Sequence, residues 1–562
     1  MQKLPIGISG FPELRQKNCV YVDKTRHIYS LLTDNTRTFL ARPRRFGKSL
    51  LVTTLEAALQ GKKELFDGLW IASSNYDWEP KGVIRLDFSG LSIKSAEAFE
   101  KSLLLRLQSI ATAYGITLKE QNILNSALDE LIETLCLIKK TTLKAHFLNL
   151  ISCVFKKQKR KRPFRSVAIL IDEYDSPILH TLHNPELAIA IREIMKSFSC
   201  IIKGQHDLVQ FVFVTGVSAF SKSGLSSGLN NLDNLTMNKK FSDICGYTDE
   251  EVDLHFKEHI ENWAYLEQIP YEEIRQQLKA WYNGYCFIEN TSTVYSPFSL
   301  TCALNIQSLR NFWFESATPQ VLLDELRKDT RANECKLLEL DQLRGTGDLL
   351  QTFEIESLPL PALLFQMGYL TIDSYEPLSR NYQLKYPNLE VKASLLRHIV
   401  ALVTHKATAR INPLIGDIYR ILVEEKPQEL VEVLTTILSG IPYSLHIENE
   451  KFYHSLLQTI FFAAGIEAQS ERLTSIGRMD IILELPTILY IIELKINKPP
   501  EEGLDQIGTQ KYYEPFLHKN KPIRALAISF VRTKSSNTEN SDFVISCASK
   551  NIQSPFNHKA MP

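Results

Sequence analysis

The sequence predicts a multidomain α/β protein with an N-terminal domain on a parallel sheet, a helical middle domain and a compact C-terminal α/β domain. Three observations predict it. In the first half, short apolar runs alternate with longer helical patterns, the rhythm of parallel strands joined by crossover helices. From about residue 249 the pattern shifts to amphipathic helices, and from about 448 to 531 it returns to mixed strands and helices. The chain has 562 residues, more than one hydrophobic core accommodates, and its 44% hydrophobic fraction is ample for several.

The domains are expected at 1–248, 249–440 and 441–535, followed by a polar tail at 536–562. In the first, Thr38–Ala41, Val83–Phe88, Val167–Asp172 and Phe211–Val217 read as buried strands. In the second, Glu250–Trp263 and Tyr271–Trp281 are amphipathic helices, interrupted by aromatic turns such as Trp281-Tyr-Asn-Gly-Tyr285. A further helical stretch, Pro413–Ser439, ends at Gly440-Ile-Pro442.

Bulk chemistry narrows the function classes. Lys+Arg and Asp+Glu are equal at 64 each, so any contact with nucleic acid must come from a local patch rather than from the field of the whole chain. Nine cysteines contain no C-x-x-C pair, which matches neither a disulfide framework nor zinc-ligand spacing. The N-terminus lacks a signal-peptide core, and no run approaches the ~18 apolar residues of a membrane span. A cytoplasmic protein without a membrane partner is expected.

Arg42-Pro-Arg-Arg-Phe-Gly-Lys-Ser49 follows the first strand and precedes a helical pattern, Leu50–Gln60, that closes on Gly61. Strand, loop and helix in that order are what a Walker A loop requires. Arg45, Phe46 and Gly47 lie in the loop, whose backbone N–H groups would wrap phosphates, with Lys48 reaching the β and γ oxygens and Ser49 offering its hydroxyl to Mg²⁺. The pattern's first glycine is replaced by Arg42, which would be strained if the loop demanded a positive φ there. Val167-Ala-Ile-Leu-Ile-Asp-Glu173 has the Walker B form, in which Asp172 holds Mg²⁺ and Glu173 orients or deprotonates the attacking water. ATP binding is therefore expected, and no arginine finger can be located. Thr215 and Ser218, just past another strand, read equally as γ-phosphate sensors or as turn chemistry.

Near the C-terminus, Gly477-Arg-Met-Asp480 leads into Ile481–Leu485, a Pro486-Thr487 turn, Ile488–Ile492 and then Glu493-Leu-Lys495. A turn centred between Pro486 and Thr487 makes opposing residue numbers sum to 973, which sets Asp480 across from Glu493. Pro excludes the positive φ of a tight two-residue turn, and a four-residue loop preserves that register. Lys495 shares the face of Glu493 by the period-2 rule. Two acids and a lysine at one end of a hairpin can hold a divalent metal and polarise water beside a phosphodiester. Glu450 opens an amphipathic helix that could add a carboxylate, and Gln506 opens another that could orient the metal-bound water.

Together these residues resemble the bacterial AAA-ATPase-like family with a C-terminal PD-(D/E)XK nuclease domain. The resemblance also rests on Pro5-Ile-Gly-Ile, Tyr21-Val-Asp-Lys-Thr25, Asp172-Glu-Tyr-Asp175, Thr215-Gly-Val-Ser218, Gly368-Tyr-Leu-Thr371 and Pro387-Asn-Leu-Glu-Val391. It implies a P-loop NTPase sheet, a helical middle or lid region and a restriction-endonuclease-like C-terminal domain. A missing first glycine looks typical of the family. Glu450, Asp480, Glu493 and Lys495 match its nuclease pattern, with Arg478, Gln506-Ile507 and Tyr512 around them, and Gly503 stands where the family usually has Ala. The implied cofactors are ATP and Mg²⁺. The implied substrate is nucleic acid, DNA ahead of RNA, with homo-oligomerisation left open.

Two features are set aside. The basic run Lys156–Arg165 reads as a solvated loop rather than a nucleic-acid patch, and Trp281, Tyr282, Tyr285 and Phe287 suit helix-end packing as well as base stacking. The leading expectation is an ATP-controlled, Mg²⁺-dependent nuclease. Its rivals are a nucleotide-gated binding switch with a non-cutting C-terminal domain and an ATP-driven signalling or remodelling machine.

Overall fold

The computed structural model describes residues 1–34, 36–136, 164–219, 232–313, 326, 340, 343–347, 359–439, 450–473, 478–519, 521–533 and 542–552. The chain divides into two compact units, Met1–Leu322 with Leu343–Asn388, and Leu323–Gln342 with Leu389–Pro562. The break at 388/389 falls inside the expected middle domain. Its first helices join the N-terminal unit because Val20 and Val22 share one core with Val252, Phe256, Ile260, Leu278 and Leu300.

The first unit is built on β1 (Arg37–Ala41), β2 (Gly82–Asp87), β3 (Val167–Asp172), β4 (Val209–Gly216) and β5 (Asp233–Asn234). They lie in the order β2-β3-β4-β1-β5, all parallel. Every residue of β3 is buried, as a central parallel strand covered on both faces must be. The registers pair Asp87 with Asp172 and Ala41 with Gly216. The carboxyl ends of four strands therefore meet at one edge of the sheet, where open α/β sheets bind ligands.

Helix α1 (Lys48–Leu59) leaves that edge. Its Leu51, Val52, Leu55, Ala58 and Leu59 are buried, the i, i+3, i+4 spacing of a packed face. It ends as expected at Gly61, whose φ of 71° and N–H bond to the Ala58 carbonyl (3.0 Å) close the last turn. Beyond the helices of the 249–306 segment, β6 (Arg344–Thr346), β7 (Thr371–Glu376) and β8 (Asn381–Lys385) form an antiparallel sheet within a stretch expected to be helical. These strands are short and largely polar, so their sequence carries little strand signal.

The second unit holds a mixed sheet of β9 (Ala468–Leu473), β10 (Arg478–Glu484), β11 (Leu489–Ile496), β12 (Ile523–Thr533) and β13 (Asp542–Ile552), ordered β13-β12-β11-β10-β9. Strands β11 and β12 run parallel, joined through a segment that contains α3 (Pro500–Thr509), and α2 (Glu450–Ala463) precedes β9. Residues 542–552, expected in the polar tail, are instead an edge strand paired along its length with β12. Among the described residues, no helix is long and apolar enough to cross a membrane.

Candidate functional site

The loop before α1 carries its left-handed residues at Arg45 (φ 66°) and Gly47 (φ 89°), and Arg42 is not among the positive-φ residues. The strain anticipated at Arg42 falls on Arg45, whose guanidinium lies 4.9 Å from the Phe298 ring centroid. Gly47 precedes α1 directly, so the first turn's N–H groups border the loop. Lys48 is only 3% exposed. Its ammonium donates to the Pro43 carbonyl at 3.1 Å and lies 3.5 Å from Glu173.

A cleft of about 660 Å³ opens here. Its lining includes Arg45, Lys48, Ser49, Asp87 and Glu173, with Lys24 from the N-terminal segment. Glu173 has a strained φ of 50°, and its N–H donates to Asp172 Oδ1 at 3.0 Å. The structure thus brings Phe46, Gly47, Lys48, Ser49, Asp172 and Glu173 together at the carboxyl edge of the sheet. Thr215 and Ser218 are both buried and engaged internally. Thr215 donates to the Leu40 carbonyl (2.7 Å), and Ser218 donates to Asp175 (2.6 Å), which favours their structural reading.

In the second unit the β10–β11 pairs, Ile481↔Ile492 through Glu484↔Leu489, all keep the register expected from the sequence. The Leu485 N–H donates to the Ile488 carbonyl (2.9 Å) and closes the turn. The ladder begins at Ile481↔Ile492, the pair next to Asp480 and Glu493. Here the Asp480 carboxylate itself accepts the Leu494 N–H at 2.8 Å, and His454 on α2 bonds the Asp480 carbonyl at 2.7 Å from behind. Glu493 is 2% exposed, and burying that charge requires a partner. Lys495 donates to Glu493 Oε1 at 3.0 Å and to Gln506 Oε1 at 2.8 Å, and Gln506 donates to the Tyr512 hydroxyl at 3.3 Å.

Gly503 on α3 stands over this cluster. A Cβ there would lie 3.5 Å from Glu493 Cβ and 2.8 Å from Ala527 Cβ, so its absence lets the helix press down on the strand. Glu450 begins α2, but its side chain lies outside the described residues, as does that of Arg478. Among the described residues, no group of three or more His, Cys, Asp or Glu gathers as a metal cage. The buried His454 gave no signal beyond its place four residues after Glu450, on the same helical face.

Residues 5–226 match the model of the AAA-ATPase-like family, described as a predicted AAA-ATPase, and residues 448–540 match that of the PD-(D/E)XK nuclease superfamily. The chain is also 32% identical over 544 residues to the "Uncharacterized protein in vnfD 5'region" of Azotobacter chroococcum mcd 1, an alignment covering 94% of this chain and 97% of that protein. The chain belongs to the AAA-ATPase-like family with a C-terminal PD-(D/E)XK nuclease-superfamily domain.

Several motifs that mark the resemblance support the loop of the AAA-ATPase-like domain from behind. A Cβ on Gly368 (φ 85°) would lie 2.7 Å from Pro43, and Trp313 Nε1 donates to the Arg44 carbonyl at 2.9 Å. Phe46 is buried edge-on against Tyr285, with ring centroids 4.6 Å apart. Gly284 (φ 103°) leaves room for the Pro387 carbonyl, which a Cβ would approach to 1.9 Å. Tyr282, Tyr285 and Phe287 are thus core residues, and Trp281 packs against the helical core. Most of the basic run, 156–163, lies outside the described residues. Asp175, to which no role is assigned from sequence, accepts the N–H groups of Val217 (3.1 Å) and Ser218 (2.7 Å) and ties the turn after β3 to the end of β4.

Burial raises the Asp172 carboxyl from its ordinary 3.8 to about 6, against a hydrogen bond from Ser49 and with Glu173 adding to the rise. A carboxyl raised in the folded state contributes stability that is fully present below the unfolded pKa of 3.8 and lost as pH rises through about 6. Without nucleotide or divalent cation, Asp172→Asn should therefore be more stable than wild type at pH 7.5, by on the order of 2 kcal/mol. Thermal melts across pH check this: the gap closes as pH falls from about 6 toward 4. A gap independent of pH would contradict it.

Proposed function

We propose that the chain binds ATP in the cleft beside Lys48 and cleaves phosphodiester bonds of nucleic acid at the cluster of Asp480, Glu493 and Lys495, with nucleotide state controlling cleavage. The observation that carries the nuclease half is the bonding of Lys495 to both Glu493 and Gln506, with the Asp480 carboxylate held on the intervening Leu494 N–H. Two carboxylates completed by substrate phosphate suit Mg²⁺, which seldom needs an all-protein cage. Asp480 and Glu493 would hold it there, and Ser49 and the buried Asp172 would hold another in the cleft.

Such an ion, when bound, polarises a phosphoryl oxygen and activates water. The ammonium of Lys495, steadied by Gln506, would offset charge developing on the scissile phosphate. In the cleft, Lys48 would leave the Pro43 carbonyl for the β and γ oxygens, and Glu173 would orient the water that attacks ATP. DNA is the first substrate to test, in a cytoplasmic setting.

The coupling is tested by cleavage of labelled single- and double-stranded DNA and RNA with Mg²⁺ or Mn²⁺, with and without ATP. ATP is expected to change the wild-type rate severalfold and to leave the rate of Lys48→Ala unchanged. Equal ATP responses in the two proteins would refute coupling through this cleft.

A further inference from the structure

Arg42 stands where the general phosphate-loop pattern has glycine, and it is 1% exposed. It does not line the cleft. Its Nη1 donates to the carbonyls of Ala41 (2.9 Å) and Thr236 (2.8 Å), its Nη2 donates to that of Phe241 (2.9 Å), and the guanidinium lies 4.1 Å from the centroid of Phe287. The Arg42 N–H donates to the Gly216 carbonyl at 3.1 Å, and the neighbouring Ala41 N–H donates to Thr236 Oγ1 at 3.1 Å. The point where β1 becomes the loop is thus tied to β4 and to the 236–241 segment at once.

These partners are neutral. Asp243 acts on Arg42 only through space and pairs instead with His27 at 3.1 Å. Burial pulls the guanidinium down to about 10, so it stays charged at neutral pH. A buried cation held by carbonyls and one aromatic face, without a carboxylate contact among the described residues, is a costly way to gain stability alone. Its rigid fork is, however, well suited to fixing three backbone carbonyls in one geometry.

We infer that Arg42 is a positioning residue of the nucleotide site, a clamp that holds the start of the phosphate loop to the 236–241 segment and Phe287 and so presets the loop for a phosphate chain. The phosphate part of this inference rests on the ATP-binding reading above. The clamp replaces the backbone freedom of a glycine with a side-chain anchor. It also joins the loop to the chain that follows β4.

The test uses the full chain, Arg42→Lys, which keeps the charge but loses the fork, and Phe287→Leu, which removes the ring under the guanidinium, a ring that also packs 5.8 Å from Phe46. Binding of mant-ATP, mant-ADP and mant-AMP is measured by fluorescence, and hydrogen exchange is followed in the nucleotide-free proteins. Arg42→Lys is expected to weaken mant-ATP and mant-ADP at least tenfold and mant-AMP less than threefold, with 43–49 and 236–241 exchanging faster together. Phe287→Leu should show the same pattern at smaller amplitude and carries the test if Arg42→Lys does not fold. Wild-type affinities with unchanged exchange, or equal losses for all three nucleotides, would overturn the clamp. If the wild-type chain binds none of the three, the ATP reading fails and the positioning role falls with it. Exchange in the nucleotide-free variants then still shows whether the two segments are joined through Arg42.

Discussion

Replacing Asp480 with alanine is expected to lower metal-dependent cleavage by about a thousandfold or more, because a carboxylate that positions the metal is removed together with part of its charge. The fold should survive. Asp480 is only partly buried, and the hydrogen bond it would lose is the one from the Leu494 N–H, worth about 1–3 kcal/mol for a charged acceptor. Thermal melting of the variant, run beside the cleavage assay, separates lost chemistry from lost structure. Residual cleavage within about tenfold of wild type would remove Asp480 from the site.

Lys48→Ala is expected to weaken ATP binding by roughly 30- to 100-fold, the range set by losing a charge-assisted contact to phosphate. The contacts of Lys48 give this variant a particular signature. The ammonium already lies between the Pro43 carbonyl and Glu173, so removing it frees Glu173 from its cation while leaving the buried face of α1 intact. Titration with mant-ATP, together with a melting curve, checks it. Undiminished affinity would move the phosphate site away from Lys48.

The parts of the molecule that were legible in the sequence share a physical cause. The β10–β11 register followed from period-2 alternation around a proline turn, and the pairs from Ile481↔Ile492 to Glu484↔Leu489 all keep the expected sum of 973. The phosphate loop was legible because a buried strand, a left-handed glycine and an apolar helix face each leave a local mark. Arg42 was not, because its partners at Thr236 and Phe241 are backbone carbonyls nearly 200 residues away, and a carbonyl carries no residue identity. The same holds for His454, whose partner is the Asp480 carbonyl. Strand β13 was hidden by its composition, with Ser, Lys and Asn alternating among apolar residues after a polar run, as an edge strand's solvent side permits. The unit boundary at 388/389 was hidden because helices on both sides of it are equally amphipathic, and only tertiary contact separates them.

The central claim is that the C-terminal cluster cuts nucleic acid with a divalent metal. It is tested most directly by incubating the full wild-type chain with end-labelled DNA and RNA, single- and double-stranded, in Mg²⁺ or Mn²⁺ and in EDTA. The account predicts discrete shortened products that require the metal. Products that persist in EDTA, or intact substrates throughout under conditions where the protein is folded, would contradict it.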